Sequence, residues 1–157
     1  MHILLTGGTG LIGRALCRHW LQQGHQLTVW SRRPEQVAAL CGDSVRGIGR
    51  LDELGEGQAR GFDPQGRGAD SLFALRYLGQ VRVYRNLCPH LMVPMEYRKN
   101  RFLSADGQWI VCYAHGARFT PEDGTCVHGP CRGEALEALD HKEADGWLLL
   151  PLEQLDR

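Results

Sequence analysis

Two short stretches of this chain carry side chains that could hold a metal. They are Cys88-Pro89-His90 and Cys112-Tyr113-Ala114-His115-Gly116, with 21 residues between His90 and Cys112. Each stretch offers one thiol and one imidazole, and a thiolate and a neutral imidazole are both good donors to zinc and to iron. Zinc accepts this donor set, but its structural sites commonly pair like with like, as C-x₂₋₄-C and H-x₃₋₅-H. The mixed pairs here, C-x-H and then C-x-x-H, point away from that reading. Cys126 and Cys131 flank Val127-His128-Gly129-Pro130 and invite a second-site reading with His128. The plainer expectation is two ordinary loop thiols, with Cys17 and Cys41 equally inert.

A scaffold of short strands must position these loops. Apolar and β-branched runs occur at Ala59–Phe62, Ser71–Tyr77, Gln80–Asn86, Arg101–Ser104, Trp109–Tyr113, Ala117–Thr120, Leu136–Leu139 and Trp147–Leu150. Turn chemistry divides them: Asp63-Pro64, Leu78-Gly79, Asp106-Gly107, Glu122-Asp123-Gly124 and Asp145-Gly146. Many short strands joined by glycine turns predict a mainly β domain, an antiparallel β-sandwich, over residues 51–157.

The paired loops on such a scaffold closely resemble the Rieske 2Fe–2S family, over nearly all of residues 51–157. The resemblance implies a 2Fe–2S cluster with Cys88 and Cys112 on one iron and His90 and His115 on the other. Gly116 falls where the second loop turns beneath the cluster, and Gly129-Pro130 where a proline-containing loop covers it. Respiratory and photosynthetic members tie the two loops with a disulfide, but the matching positions here are Val93 and Ala114. Members with a serine and a tyrosine hydrogen-bonded to sulfur have Ala117 and Phe119 as their counterparts here. Fewer such bonds imply a potential at the low end of the family's range, near roughly −150 mV. Met92 stands where glycine is often found, and the gap between the ligand pairs is a few residues longer than usual.

The first fifty residues read differently. Met1 to Thr6 is an apolar run suited to a buried strand, followed by Gly7, Gly10 and Gly13 spaced G-x-x-G-x-x-G. A helix is expected over Leu11 to Gln23, a strand over Gln26 to Trp30 and a second helix from Pro34 through Leu40. Strand, glycine loop, helix, strand is the start of a dinucleotide-binding fold, in which the helix N-terminus meets a pyrophosphate. This segment resembles the N-terminus of the epimerase-like short-chain dehydrogenases/reductases. The resemblance implies a nucleotide at Gly7, Gly10 and Gly13, with Arg32 and Arg33 suited to the 2′-phosphate of NADP. The family's Tyr-x-x-x-Lys is absent, and about fifty residues cannot cover both faces of a parallel sheet. Residues 1–50 are therefore expected to be a truncated Rossmann-like fragment and linker that binds no nucleotide. Retained NADP binding is the alternative.

Composition bounds the function. The chain has 157 residues, 43% hydrophobic and 23% charged, with no net charge. These values suit a globular protein and argue against a general nucleic-acid binder. Residues 1–50 carry six arginines against Glu35 and Asp43, a net of +4, so residues 51–157 carry −4. Neither a membrane span nor a secretory signal is expected, which gives a cytoplasmic reading with reduced cysteines. By resemblance, the chain is a low-potential ferredoxin-type electron carrier rather than an enzyme. Its redox partners would be a reductase and a terminal oxygenase or similar enzyme. The alternatives are a redox-sensing or regulatory module, or a fusion that retains NADP binding.

Overall fold

The computed structural model describes residues 2–6, 15–17, 19–20, 23, 25–30, 45–144 and 146–155. Two compact units result: Met1–Gly47 with Leu149–Arg157, and Ile48–Leu148. In the first, β1 (His2–Thr6) and β2 (Gln26–Trp30) pair in parallel, His2 opposite Gln26 and Thr6 opposite Trp30. Residues 15–17 and 19–20 are helical. The strand–helix–strand order expected from the sequence is therefore present. Gly7, Gly10, Gly13, Arg32, Arg33, Cys41 and the second expected helix lie outside the described residues.

The second unit holds two three-stranded antiparallel sheets. One is ordered β4 (Ala59–Phe62), β5 (Leu72–Tyr77), β6 (Gln80–Arg85). The other is ordered β7 (Ile110–Cys112), β8 (Ala117–Phe119), β9 (Cys126–His128). In β5, Leu72, Phe73, Ala74 and Leu75 are all buried, so this central strand is covered on both faces. Phe73 stacks on Phe102 with ring centroids 4.3 Å apart and meets Tyr84 at 5.7 Å. Met95, Ile110, Phe119 and Leu136 complete a core whose apolar burial is the main stabilising term. Tyr84 donates its hydroxyl to the Pro121 carbonyl at 3.2 Å, and burial pushes its phenol up to about 12.

Several expected strands are altered. Arg101–Ser104 contributes one bridge, Leu103 to Ile110, with Val111 N–H to Phe102 O at 2.8 Å and Ser104 N–H to Trp109 O at 2.9 Å. Leu136–Leu139 likewise lies along β6 by one bridge, Tyr84 to Ala138, and by bonds at Val83 and Arg85. Both segments pair over too few consecutive residues to make a ladder. Conversely, Val45–Arg50, expected to be linker, is strand β3, alongside β11 (Trp147–Pro151) and β10 (Lys142–Ala144) in the order β10-β11-β3. The unit boundaries fall inside β3 and β11. The glycine at 49 is there for space, because a Cβ would overlap the Phe62 ring. No helix among the described residues is long and apolar enough to cross a membrane.

Candidate metal centre

Three loops of the second unit meet at the cysteine and histidine pairs. The first leaves β6 at Asn86, a buried amide that accepts the Met95 N–H at 2.9 Å and donates to the Asp70 carbonyl at 2.9 Å. Between these anchors the chain turns on itself: Met92 N–H reaches Cys88 O, and Cys88 N–H reaches Val93 O, both at 2.8 Å. The turn needs left-handed backbone at Met92, with φ 53°. That accounts for the residue type usually found there, since only glycine adopts this conformation without cost.

The second loop is the β7–β8 connection. Cys112 ends β7 and pairs with Ala117, and Gly116 (φ +73°) donates its N–H to Cys112 O at 2.8 Å. Tyr113 N–H bonds Met95 O at 3.1 Å and so ties the second loop to the first. The third loop follows β9. Gly129 presses on β8 so closely that a Cβ would stand 2.7 Å from the Ala117 Cα.

The loops bring the four expected donors together as two pairs. The rings of His90 and His115 meet edge to face with centroids 5.0 Å apart. Cys88 and Cys112 are buried at 1% and 0% exposure and near enough for the Cys112 thiol to act on that of Cys88. Burial pushes the Cys88 thiol up, opposed by the His90 backbone N–H, which favours the thiolate. Nδ1 of His90 is fully buried and has no hydrogen-bond partner. A buried polar atom without a partner is costly unless something unseen binds it. Two thiols and two imidazoles are the donor types of a metal–sulfur group, and they stand as two pairs, since no three Cys, His, Asp or Glu side chains among the described residues cluster as around a single ion. The imidazole side is the open one: His115 is exposed and His90 half-buried, whereas both cysteines are enclosed.

The sequence did not disclose two features. Cys126 and Cys131, expected to be ordinary loop thiols, are buried with their sulfurs 3.2 Å apart. Cys131 also reaches Cys88, and burial first, then the Cys126 neighbour, pushes its thiol up to about 12. The C-x₄-C spacing around a proline loop was the available signal. The other feature is an apolar rim: Leu91, Met92, Tyr97 and Tyr113 are exposed around the loops, and the two tyrosine rings lie 4.5 Å apart.

Comparison with known proteins agrees with this geometry. The family model described as Rieske [2Fe-2S] domain matches residues 46–143, and that of the NAD dependent epimerase/dehydratase family matches residues 3–61. The ferredoxin of carbazole 1,9a-dioxygenase from Nocardioides aromaticivorans IC177 superposes with a TM-score of 0.53 at 24% identity, covering 69% of this chain and 97% of that one. The Sphingomonas yanoikuyae B1 ferredoxin gives 0.52 at 22% identity, covering 67% and 95%. These likenesses establish the fold. A curated relative, 2-alkyl-3-oxoalkanoate reductase of Stenotrophomonas maltophilia (strain K279a), is 37% identical over 82 residues, which cover 46% of this chain and 20% of that protein. The chain thus spans about a fifth of the length of that relative. With most of its length matched and the sheets and paired loops in place, the chain belongs to the Rieske [2Fe-2S] domain family.

Proposed function

We propose that this protein is a ferredoxin-type electron carrier in which Cys88 and Cys112 hold one iron and His90 and His115 the other. The observation that carries the assignment is the buried, unpartnered Nδ1 of His90, placed beside the His115 ring on the loop that also bears Cys88. When bound, a 2Fe–2S group supplies one-electron transfer. The chain's own residues bury the two sulfurs, donate the His90 N–H toward Cys88, and leave the imidazole edge open to a partner. Ala117 and Phe119, both fully buried, bring no hydroxyl to the sulfurs, in keeping with a low potential.

The partners follow from the rim and from the relatives. Leu91 and Met92 are 58% and 62% exposed next to His90, a concentration of apolar surface that suits a transient protein contact. One structure that superposes, at 19% identity with a TM-score of 0.54, holds reduced oxygenase and oxidized ferredoxin of carbazole 1,9a-dioxygenase in complex. A reductase as donor and an oxygenase-like enzyme as acceptor, in the cytoplasm, are the corresponding partners here. Iron and acid-labile sulfide analysis tests the reading, with two of each per chain expected and loss of both in Cys88→Ser and His90→Ala. One zinc and no sulfide would overturn it.

A second reading concerns residues 1–50, where the match to an NAD-dependent family favours a nucleotide at Gly7, Gly10, Gly13, Arg32 and Arg33. Calorimetric titration with NADP decides it. Saturable binding lost in Gly10→Val supports the site, and no heat at micromolar nucleotide leaves the segment without that role.

A further inference from the structure

The two cysteines outside the proposed ligand set form a second sulfur pair. The Cys131 Sγ–H donates to Cys126 Sγ at 3.2 Å, and the Cys126 Sγ–H donates to the His128 carbonyl at 3.3 Å. The two sulfurs are closer than the about 3.5–4.0 Å of an ordinary carbon–carbon contact. A disulfide needs about 2.05 Å, so closure asks for roughly 1 Å of approach.

The backbone already holds the two limbs together. Cys126 N–H bonds Glu134 O at 2.7 Å, Gly133 N–H bonds Cys126 O at 3.0 Å, and Glu134 N–H bonds Cys131 O at 2.9 Å. Left-handed glycines at 129 and 133 (φ +107° and +92°) make the tight path possible. The cover over the pair is thin, because Val127, His128, Pro130 and residues 132–135 are all exposed. Local opening of this surface loop is enough to admit a small reagent.

We propose that Cys126 and Cys131 are a redox-active dithiol that closes to an intrachain disulfide by exchange with a small disulfide of the glutathione class. In the first step one cysteine thiolate attacks the small disulfide, forms a mixed disulfide and expels one thiolate. In the second the other cysteine attacks the bound sulfur and expels the second thiolate. Each cysteine sulfur gives up one electron. Two molecules of small thiol are formed, and they carry away both electrons and both protons. Closure fixes the loop between the two cysteines, whose Gly129 presses on Ala117, the first residue of β8 and the pairing partner of Cys112. The state of the pair is thereby felt at the proposed metal centre without either cysteine being a ligand.

The chain supplies a clean assay. Trypsin cleavage after Arg118 and Arg132 releases Phe119–Arg132, which contains Cys126 and Cys131 and no other cysteine. The full-length protein is equilibrated with oxidised glutathione, quenched in acid, alkylated with iodoacetamide, digested and weighed. The expected peptide is unalkylated and lighter by two hydrogen atoms than the dithiol, and becomes doubly alkylated after dithiothreitol. Cys126→Ala and Cys131→Ala should each leave one alkylated or glutathione-capped thiol. A wild-type peptide that stays doubly alkylated, or that is linked to the peptide of Cys88 or Cys112, overturns the proposal. The readout needs no cluster. A preparation that holds one zinc and no sulfide and still closes this pair would refute the metal assignment and keep the dithiol.

Discussion

Oδ1 of Asn86 accepts the backbone N–H of Met95 at 2.9 Å, so one buried amide at the end of β6 fixes the far limb of the loop that carries Cys88 and His90. Asn86→Ala leaves that N–H, and the Asp70 carbonyl, without partners in the interior. The expected loss is about 2–3 kcal/mol, the range for unsatisfied buried groups plus a small cavity. Urea unfolding would read it, and Asn86→Asp, which keeps the acceptor for Met95 but sets a buried carboxylate against the Asp70 carbonyl, should lose at least as much. A clearly smaller loss in Asn86→Asp would place the amide's worth in the Met95 bond alone.

Gly129→Ala should be among the most damaging conservative changes in the second unit. The backbone there has φ +107°, and the new methyl would meet the Ala117 Cα at 2.7 Å. Strain and overpacking together predict about 2–4 kcal/mol of destabilisation. Retention of wild-type melting would show that the proline loop can lift off β8 at little cost.

Met92→Gly should do the opposite. Met92 is 62% exposed, so little packing is lost, and its φ of 53° is left-handed. Relief of that strain, less the greater freedom of glycine in the unfolded chain, predicts a gain of about 0.5–1 kcal/mol. The urea midpoint should rise with no change in slope. If the apolar rim also serves docking, the same variant should bind a redox partner more weakly while being more stable.

Glu96 gives a pH-dependent test. Burial first, then its hydrogen bond with the Asp70 carboxylate, raises its carboxyl above the ordinary 4.5. A carboxyl raised in the folded state binds its proton more tightly there. Its stabilising contribution is complete below the unfolded value and is lost as pH rises through the raised one. Glu96→Gln can still accept the Asn100 N–H that the carboxylate accepts at 2.8 Å, and can donate to Asp70. Near neutral pH it should add up to about 1 kcal/mol after solvent screening, and the gain should vanish in acid. A gain independent of pH would remove charge repulsion as its cause.

The four residues proposed as ligands stand out in the sequence because their spacing is local: each cysteine lies two or three residues from its histidine. The hairpin strands β5 and β6 were legible for the same reason, from apolar runs flanking Leu78-Gly79. Strand β10 was not, since Lys142–Ala144 is wholly exposed and has no apolar face to announce it. Gly49 looked like linker because the Phe62 ring that requires it comes from β4, another strand. The meeting of Cys126 with Cys131 depends on backbone bonds to residues 133 and 134 and on burial beneath a loop, neither of which spacing encodes.

On the electron-carrier reading, the enclosed sulfurs and the open imidazole edge would give charge one doorway, at which donor and acceptor enzymes would take turns, since each covers the edge the other needs. The protein then works as a courier that detaches between deliveries, not as a bridge held between two enzymes. Its throughput would be set by dissociation rates and fall when either enzyme is in excess. A redox-inactive acceptor should inhibit reduction of this protein competitively, with no ternary complex in sedimentation, whereas a stable three-protein assembly would require a second route for the electron.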